Sequence, residues 1–344
     1  MAEDIDIRVE GRAGRITLRR PQALNALSYD MVRAIDAALI GWADDGAVAL
    51  VVIDAEGDRA FCAGGDIAEM HATGMAEDYA YGRRFWADEY RMNARFFHFP
   101  KPVVSLMQGF TMGGGVGIGC HASHRVVCET SQIALPECGI GLVPDVGSTL
   151  LLARAPGRLG EYLGVTGARM GPGDAILAEF ADYYIPREAW PALVAELCET
   201  GDWEAVDRAA APAPEAPLAA DRAAIDRLFA GDTLRDVLNL LTIDGSAVAE
   251  GALKLMNRNS PLAVACTVEL VHRARLRDTI DAALEQEYRF TYRAMEKGDF
   301  LEGIRAAIID KDRTPRWRHA ALDAVPATEV AAMLLPLGAD ALKL

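Results

Sequence analysis

The stretch Met112-Gly113-Gly114-Gly115-Val116-Gly117 is the most informative part of this chain. A glycine run lets backbone N–H groups approach a reacting carbonyl closely, because no side chain stands in the way. A second run, Phe61-Cys62-Ala63-Gly64-Gly65-Asp66, lies upstream, and two acids, Glu137 and Asp145, follow at a spacing that allows them to converge on the same group. The sequence therefore predicts an active site with two backbone donors, an oxyanion hole, and two carboxylates.

Each glycine run is preceded by an apolar segment that is typical of a buried strand, at 47–53 and at 102–106. Near the start of the chain, residues 5–9 and 15–18 alternate polar and apolar side chains, which predicts a hairpin. Ser28 is a suitable N-cap for a helix whose apolar residues recur at spacings of three and four. The repeated order of strand, glycine turn and helix predicts the α/β class.

A proline-rich segment, Ala209 to Pro217, interrupts the chain. Its composition is incompatible with a helix interior and is typical of a surface connector. The chain beyond it shows helical patterns only, with start and stop signals. We therefore expect a core at 1–208, a connector at 209–225, and a helical C-terminal region at 226–344 that packs on the core.

The acidic composition limits the partners of the chain. Its 344 residues carry a formal net charge of −15, whereas nucleic-acid phosphates require a basic surface. No apolar run reaches the roughly 18 residues that a membrane span needs, and the first six residues show no signal-peptide pattern. Six cysteines without a CxxC pair favour free thiols in a reducing compartment. We expect a cytoplasmic protein with neither a nucleic-acid nor a membrane partner.

The two glycine runs, together with Lys101-Pro102-Val103-Val104, resemble the crotonase (enoyl-CoA hydratase/isomerase) superfamily. Two further segments narrow the match. The segment Pro136 to Gly147, and the segment Gly298 to Asp312 with the following Pro315-Arg316-Trp317, are similar to the 3-hydroxyisobutyryl-CoA hydrolase family of valine degradation. The resemblance covers the chain from about Ile16 to Trp317.

The resemblance implies a crotonase-like spiral of ββα units with a C-terminal helical region. It places the thioester carbonyl of an acyl-CoA between the N–H groups of Gly65 and Gly114, and it assigns Ala63, Asp66 and Glu89 to substrate binding. It implies no metal and no other cofactor, since coenzyme A is part of the substrate. Members often associate as trimers or hexamers, so a homo-oligomer is one expectation, and a helical tail that replaces this contact is the other.

The same resemblance assigns catalysis to Glu137 and Asp145. Hydratases of the superfamily use two glutamates, and this chain has Gly117 at the first of those positions, which makes simple hydration a poor fit. In hydrolysis, Glu137 either attacks the thioester to give a mixed anhydride or acts as base on a water that Asp145 orients or deprotonates. The sequence leaves both routes open.

Each acid also has a purely structural interpretation. Pattern alone predicts Glu137 as a surface residue, Asp145 as a turn residue after Pro144, and Glu89 as a solvated helix residue. The segment 147–154 departs from the glycine-aromatic run usual in the family, which leaves the acyl preference open. Two other functions therefore remain: an enoyl-CoA hydratase or isomerase acting with a single carboxylate, and an acyl-CoA-binding protein without activity.

The phosphates of coenzyme A require cations. The candidates are Arg20, Arg59, Lys101, Arg289 and Arg293, and the sequence does not rank them. Each is equally compatible with ordinary surface charge.

Overall fold

The computed structural model describes residues 4–344, so the first three residues, which entered the signal-peptide argument, lie outside it. Its strands form a six-stranded sheet of order β1-β2-β3-β5-β7-β9 and a three-stranded sheet of order β4-β6-β8. The strands are β1 (Ile5–Glu10), β2 (Ala13–Leu18), β3 (Leu50–Ala55), β4 (Ala60–Cys62), β5 (Val103–Met107), β6 (Phe110–Met112), β7 (His124–Val127), β8 (Gln132–Ala134) and β9 (Tyr183–Tyr184). All neighbouring strands are parallel except β1 and β2, which form the predicted hairpin.

Helices make up most of the remaining chain. They are α1 (Tyr29–Trp42), α2 (Ala68–Met75), α3 (Tyr79–Phe97), α4 (Gly114–Gly119), α5 (Ser148–Arg154), α6 (Leu159–Thr166), α7 (Pro172–Leu177), α8 (Trp190–Thr200), α9 (Ala205–Ala209), α10 (Leu218–Leu228), α11 (Leu234–Asp244), α12 (Ala247–Met256), α13 (Pro261–Leu276), α14 (Ile280–Lys297), α15 (Phe300–Ile304) and α16 (Ala327–Met333). The predicted cap of α1 is confirmed, since the Ser28 hydroxyl accepts from the Met31 N–H.

One sequence-based bound was wrong for a local reason. The strand expected from residue 47 starts only at Leu50, because a turn in which Val48 N–H donates to the Asp45 carbonyl precedes it. The later start of β3 moves no residue of the predicted site.

Contacts divide the chain into two compact units. The first comprises the chain up to residue 66 with 91–134 and 169–217, and it contains every strand named above. Its core lies between the six-stranded sheet, with side chains such as Leu50 and Val104, and α8, with Trp190 and Leu197. This unit ends at Pro217, and residues 212–216 form neither helix nor strand.

The second unit comprises 67–90, 135–168 and 218–344 and is helical. Its centre is α13, which is buried over most of its length and packs against α5, α6 and α14. The units therefore follow spatial contacts rather than chain order, and the three-part division at 209–225 stays a prediction. The predicted α/β class and helical C-terminal region are confirmed.

No helix within residues 4–344 is long and apolar enough to cross a membrane. All six cysteines are buried and carry free thiols.

Candidate active site

The two glycine turns lie side by side within the first unit. They follow β4 and β6, which are parallel neighbours with Cys62 opposite Thr111. Because the carboxyl ends of parallel strands meet at the same edge of a sheet, both turns leave the sheet at one edge. The turns that carry Gly65 and Gly114 therefore lie at the same edge of the three-stranded sheet, and the role of the two amides as an oxyanion hole stays a prediction.

Glycine at position 115 permits this close approach. A Cβ on Gly115 would lie 2.2 Å from the carbonyl oxygen of Cys62, so α4 sits directly on the end of β4. Gly113 precedes α4 with a φ of +50°, a left-handed conformation that glycine adopts without strain. The first N–H groups of a helix have no acceptor within that helix, so α4 leaves the Gly114 N–H for another oxygen.

The turn at residues 63–66 is fixed by hydrogen bonds to the segment that precedes α1, in the same unit. Three backbone hydrogen bonds of 2.8 to 3.0 Å join it to residues 24–27. Gly65 lies between the anchored Gly64 and Asp66, which fixes the direction of its amide. The carboxylate of Asp66 accepts from Arg20 at 3.1 Å. Substrate binding by Ala63 and Asp66 stays a prediction.

Four buried carboxyl groups interact in the second unit, and we call them the carboxyl cluster. They are Glu89 on α3, Glu137 in a single 3₁₀ turn, Asp145 in the loop before α5, and Glu287 on α14. Each is at most 4% exposed. Burial raises the pKa of all four groups, and the negative charge of Asp145 raises the pKa of the other three further.

Glu137 is the least satisfied member of the cluster. Neither of its carboxyl oxygens has a hydrogen-bond partner outside its own residue in the described chain. Burial, and then the charges of Asp145 and Glu287, raise the pKa of Glu137 well above its usual value. Such a group is a strong base and nucleophile once it is ionised. The interpretation of Glu137 as a surface residue was wrong.

Asp145 is both a turn residue and a buried acid. Its backbone opens a tight turn in which Val146 and Gly147 both adopt positive φ, and the Ser148 hydroxyl donates to its carbonyl. Its side chain accepts a hydrogen bond of 2.7 Å from the Tyr90 hydroxyl. Burial raises the pKa of Asp145 to about 7, and the Tyr90 bond opposes this rise. A role as a turn residue therefore explains the backbone conformation of Asp145 but not the burial of its carboxyl group.

Glu89 is 3% exposed, so the prediction of a solvated helix residue was wrong. Its Oε1 has no hydrogen-bond partner among the described residues. Burial and the charge of Asp145 raise the pKa of Glu89 well above its usual value. The structure places it in the carboxyl cluster, which is compatible with the predicted contact to substrate.

The C-terminal segment that narrowed the family resemblance braces the Glu137 turn. A Cβ on Gly303 of α15 would lie 2.1 Å from the carbonyl oxygen of Ile140, the last residue of that turn. A Cβ on Gly141 would lie 2.5 Å from the backbone of Asp299. The two segments that are far apart in sequence are therefore one packed structure, in which glycines allow backbone to touch backbone.

Sequence reasoning missed Tyr90 and Glu287. A signal for Glu287 exists, because it occupies the buried face of α14 in the series Ile280, Leu284, Glu287, Thr291 and Ala294, at spacings of four and three. A carboxylate at a core position of a helix requires a partner or a function. Tyr90 adjoins the predicted Glu89 and lacked a signal of its own.

Four of the five candidate cations form hydrogen bonds or ion pairs with residues of their own unit. Lys101 donates to two carbonyls at the end of α1 at 2.6 and 2.7 Å, and Arg293 donates to two at the end of α16 at 2.9 and 3.0 Å. Arg289 pairs with Glu285 at 2.7 Å, and Arg20 pairs with an aspartate of the glycine turn at 3.1 Å. These bonds make the four side chains weaker candidates for phosphate binding.

The chain is similar to known proteins over nearly its whole length. The family model described as "Enoyl-CoA hydratase/isomerase" matches residues 13–334. Curated relatives named "3-hydroxyisobutyryl-CoA hydrolase, mitochondrial" include one from Rattus norvegicus, 36% identical over 97% of this chain and 89% of that protein. Another, from Homo sapiens, is 34% identical over 99% of this chain and 91% of that protein.

Solved structures extend the comparison. A structure titled as an enoyl-CoA hydratase from Rhodobacter sphaeroides is 60% identical, with a TM-score of 0.95 over 99% of this chain and 100% of that one. A structure titled as a carnitinyl-CoA dehydratase from Mycobacterium thermoresistibile is 40% identical, with a TM-score of 0.93 over 98% of this chain and 97% of that one. These matches confirm the predicted crotonase-like fold, and the chain belongs to the enoyl-CoA hydratase/isomerase family.

Proposed function

We propose that this protein hydrolyses the thioester of a short 3-hydroxyacyl-CoA, first of all 3-hydroxyisobutyryl-CoA, to the free acid and coenzyme A. The carboxyl cluster is the observation that supports this most. It provides an unpartnered buried glutamate, Glu137, and a second acid, Asp145, whose pKa is raised to about 7. The names of relatives that match nearly the whole chain support the choice of acyl group.

The proposed reaction begins at the thioester oxygen. Negative charge develops on that oxygen as the carbonyl carbon becomes tetrahedral, and the amides of Gly65 and Gly114 are proposed to stabilise it. Loss of one such donor typically costs ~3–4 kcal/mol of barrier. Parallel strands and glycine packing fix both amides in advance, so that no reorganisation is needed when the charge appears.

Two routes lead from there to the products. In the first, a carboxylate oxygen of Glu137 bonds to the carbonyl carbon, the C–S bond breaks, and the thiolate leaves and takes up a proton. Water that Asp145 deprotonates then opens the resulting anhydride. In the second, Glu137 takes a proton from a water that attacks the carbonyl directly, the C–S bond of the tetrahedral intermediate breaks, and the leaving thiolate takes up that proton. Single-turnover hydrolysis in ¹⁸O-labelled water distinguishes them, because only the anhydride route can place label in the Glu137 carboxyl group.

A hydratase is the second candidate, since the two solved structures above carry hydratase and dehydratase titles at 60% and 40% identity. Hydration of a double bond requires general acid and general base catalysis at two carbon atoms. This chain has Gly117 where the family's first glutamate stands, so Asp145 or Glu89 would have to supply the missing carboxyl group. An acyl-CoA-binding protein without activity is the third candidate.

One assay separates the three functions. The enzyme is given 3-hydroxyisobutyryl-CoA and, in parallel, crotonyl-CoA, while free thiol and enoyl absorbance are followed. Thiol release from the first substrate supports the hydrolase. Loss of enoyl absorbance without thiol release supports the hydratase, and no change with either substrate supports the binding protein. Glu137→Gln serves as the blank for contaminating thioesterases.

Four further points stay predictions. Buried free thiols favour a reducing, cytoplasmic compartment, although the vertebrate relatives carry "mitochondrial" in their names. The proposed chemistry uses amides and carboxyls alone, so we expect thiol release to survive dialysis against a chelator. Acyl-CoA is the expected partner. A homo-oligomer is tested by light scattering coupled to size exclusion.

A further inference from the structure

Glu287 makes an unusual set of contacts for a core residue. It is fully buried on α14, and its Oε2 accepts from the Gly147 N–H at 2.7 Å. Its Oε1 accepts from the Thr149 N–H at 3.0 Å and from the Thr149 hydroxyl at 2.5 Å. All three hydrogen bonds lead to the residues that join the Asp145 loop to α5. We call this set of bonds the Glu287 clamp.

The clamp replaces a helix cap that the loop cannot provide. A helix N-terminus is normally capped by the side chain of its own N-cap residue. The N-cap of α5 is Gly147, which has no side chain and adopts a φ of +82°. That conformation belongs to the tight turn that directs Asp145 inward, so a local capping residue and this turn exclude each other. The acceptor comes instead from Glu287, 140 residues further along the chain.

We infer that Glu287, through Thr149, is a positioning residue that fixes the Asp145 loop for catalysis; this inference rests on the proposed function. The loop is then held at two points, by the Tyr90 bond to the Asp145 carboxyl group and by the Glu287 clamp two to four residues later. Burying a carboxyl group is costly unless all its donors are in place. The clamp meets this condition with two backbone donors and one hydroxyl.

Glu287→Gln tests the clamp by geometry. An amide has only one acceptor oxygen, so in either orientation its NH₂ group faces a backbone N–H and one hydrogen bond is lost. We expect faster amide hydrogen exchange in the peptide 145–150. Glu285→Gln is the matched control, because Glu285 lies on the same helix, is part-exposed, and pairs only with Arg289 among the contacts described. Unchanged exchange in Glu287→Gln, or equal acceleration in both variants, overturns the inference.

Turnover tests the link from the clamp to catalysis. We expect Glu287→Gln to lower kcat at least about tenfold with KM changed less than about threefold, since misplacing a catalytic group by about 1 Å costs up to about 100-fold. Thr149→Val is expected to act in the same direction, and Thr149→Ser, which keeps the hydroxyl, to restore most of the loss. A normal kcat per folded enzyme, as judged by circular dichroism, contradicts the positioning role.

The pH profile of turnover distinguishes the positioning role of Glu287 from a purely structural role, which would leave the profile unchanged. The groups that face Glu287 are Asp145 and Glu137, with the Tyr90 and Thr291 hydroxyls nearby. Above its own pKa, which burial raises to about 8, Glu287 carries a negative charge that raises the pKa of Glu137, and a neutral amide at this position removes that charge. The acidic limb of kcat is therefore expected to move to lower pH in Glu287→Gln and to stay in place in Glu285→Gln.

Failure of the two proposals is distinguishable. A wild-type protein that releases thiol from no 3-hydroxyacyl-CoA overturns the proposed function, and it removes the catalytic half of the inference with it. Hydrogen exchange still decides the clamp in that case. A wild-type protein that turns over while Glu287→Gln matches it in kcat and pH profile overturns the inference alone.

Discussion

The glycine turns of the first unit and the carboxyl cluster of the second unit are built on opposite principles. The turns work through backbone N–H groups, and their sequence excludes side chains so that strand and helix can touch. The cluster works through side chains from four separate chain segments. Each of these carboxyl groups is buried, although an ionised carboxylate is more stable in water. Amides do not titrate in the physiological range, whereas the cluster does. The first region should therefore respond to added volume and the second to lost charge.

The largest expected effect is in the carboxyl cluster. We expect Glu137→Gln and Asp145→Asn each to lower kcat by at least about 100-fold with acyl-CoA affinity largely kept, because both groups act in the transition state. Initial thiol-release rates over a range of substrate concentrations measure this. The control is Glu188→Gln, an exposed glutamate of the first unit, which should leave kcat unchanged. Near-wild-type turnover in both acid variants would remove them from the chemistry.

The glycine turns predict a smaller loss with a different cause. In Gly115→Ala the new Cβ meets the Cys62 carbonyl oxygen at 2.2 Å, so α4 must move off β4 and carry the Gly114 amide with it. We expect kcat to fall at least about tenfold, within the roughly 100- to 1,000-fold that a lost oxyanion donor costs. Both kcat and Tm are measured, so that turnover is referred to folded enzyme.

Gly251→Ala is the matched control for this variant. Gly251 lies in α12 with no atom within 4 Å of an added Cβ, and alanine is favoured over glycine in a helix by about 1 kcal/mol. We expect unchanged kcat and an equal or higher Tm. Equal kcat in Gly115→Ala and Gly251→Ala would mean that close packing at position 115 does not control the donors.

The same contrast explains what could be predicted from the sequence. The glycine turns were predictable because their requirement is local: a left-handed φ at Gly113 and a missing Cβ at Gly115 are visible in the residue types themselves. The family resemblance identified Glu137 and Asp145 as catalytic candidates, but it did not indicate that both side chains are buried. Whether a carboxylate is solvated depends on what packs over it from distant segments.

Glu89 and Glu287 show this limit most clearly. Both look like ordinary helix glutamates, and both are buried and interact with Asp145, which is remote from each of them in sequence. The spacing of apolar residues along α14 does mark Glu287 as a core position. The burial of Glu287 was therefore visible in the helical pattern, although not in the residue type itself. Tyr90 had no such mark, because its hydrogen bond to Asp145 joins residues that are 55 positions apart in the sequence.

Dependence of the rate on pH sharpens the comparison further. Both proposed routes need an ionised carboxylate, and burial raises the pKa of Asp145 to about 7 and that of Glu137 well above its usual value. We therefore expect kcat/KM to rise with pH up to about 7 or beyond, rather than to level off near about 4 as for solvated acids. Gly115→Ala should lower the whole curve without moving its midpoint. A midpoint near the solvated value would contradict the burial of the cluster's charge.

The smallest expected effect is on stability. The pKa of Asp145 is raised from 3.8 to about 7 and that of Glu287 from 4.5 to about 8, so the folded protein holds these protons more tightly than the unfolded chain does. A raised carboxyl pKa contributes stability that is fully present below the unfolded value and is lost as pH rises through the folded value. We expect Tm, followed by circular dichroism, to fall by a few degrees between about pH 4 and about pH 8, the interval between the unfolded and folded pKa values, and to level off above it. Asp145→Asn should flatten this slope and Gly115→Ala should keep it at a lower Tm, because one variant removes a titrating group and the other only adds volume. Parallel curves for Asp145→Asn and wild type would show that Asp145 keeps an ordinary pKa in the folded state.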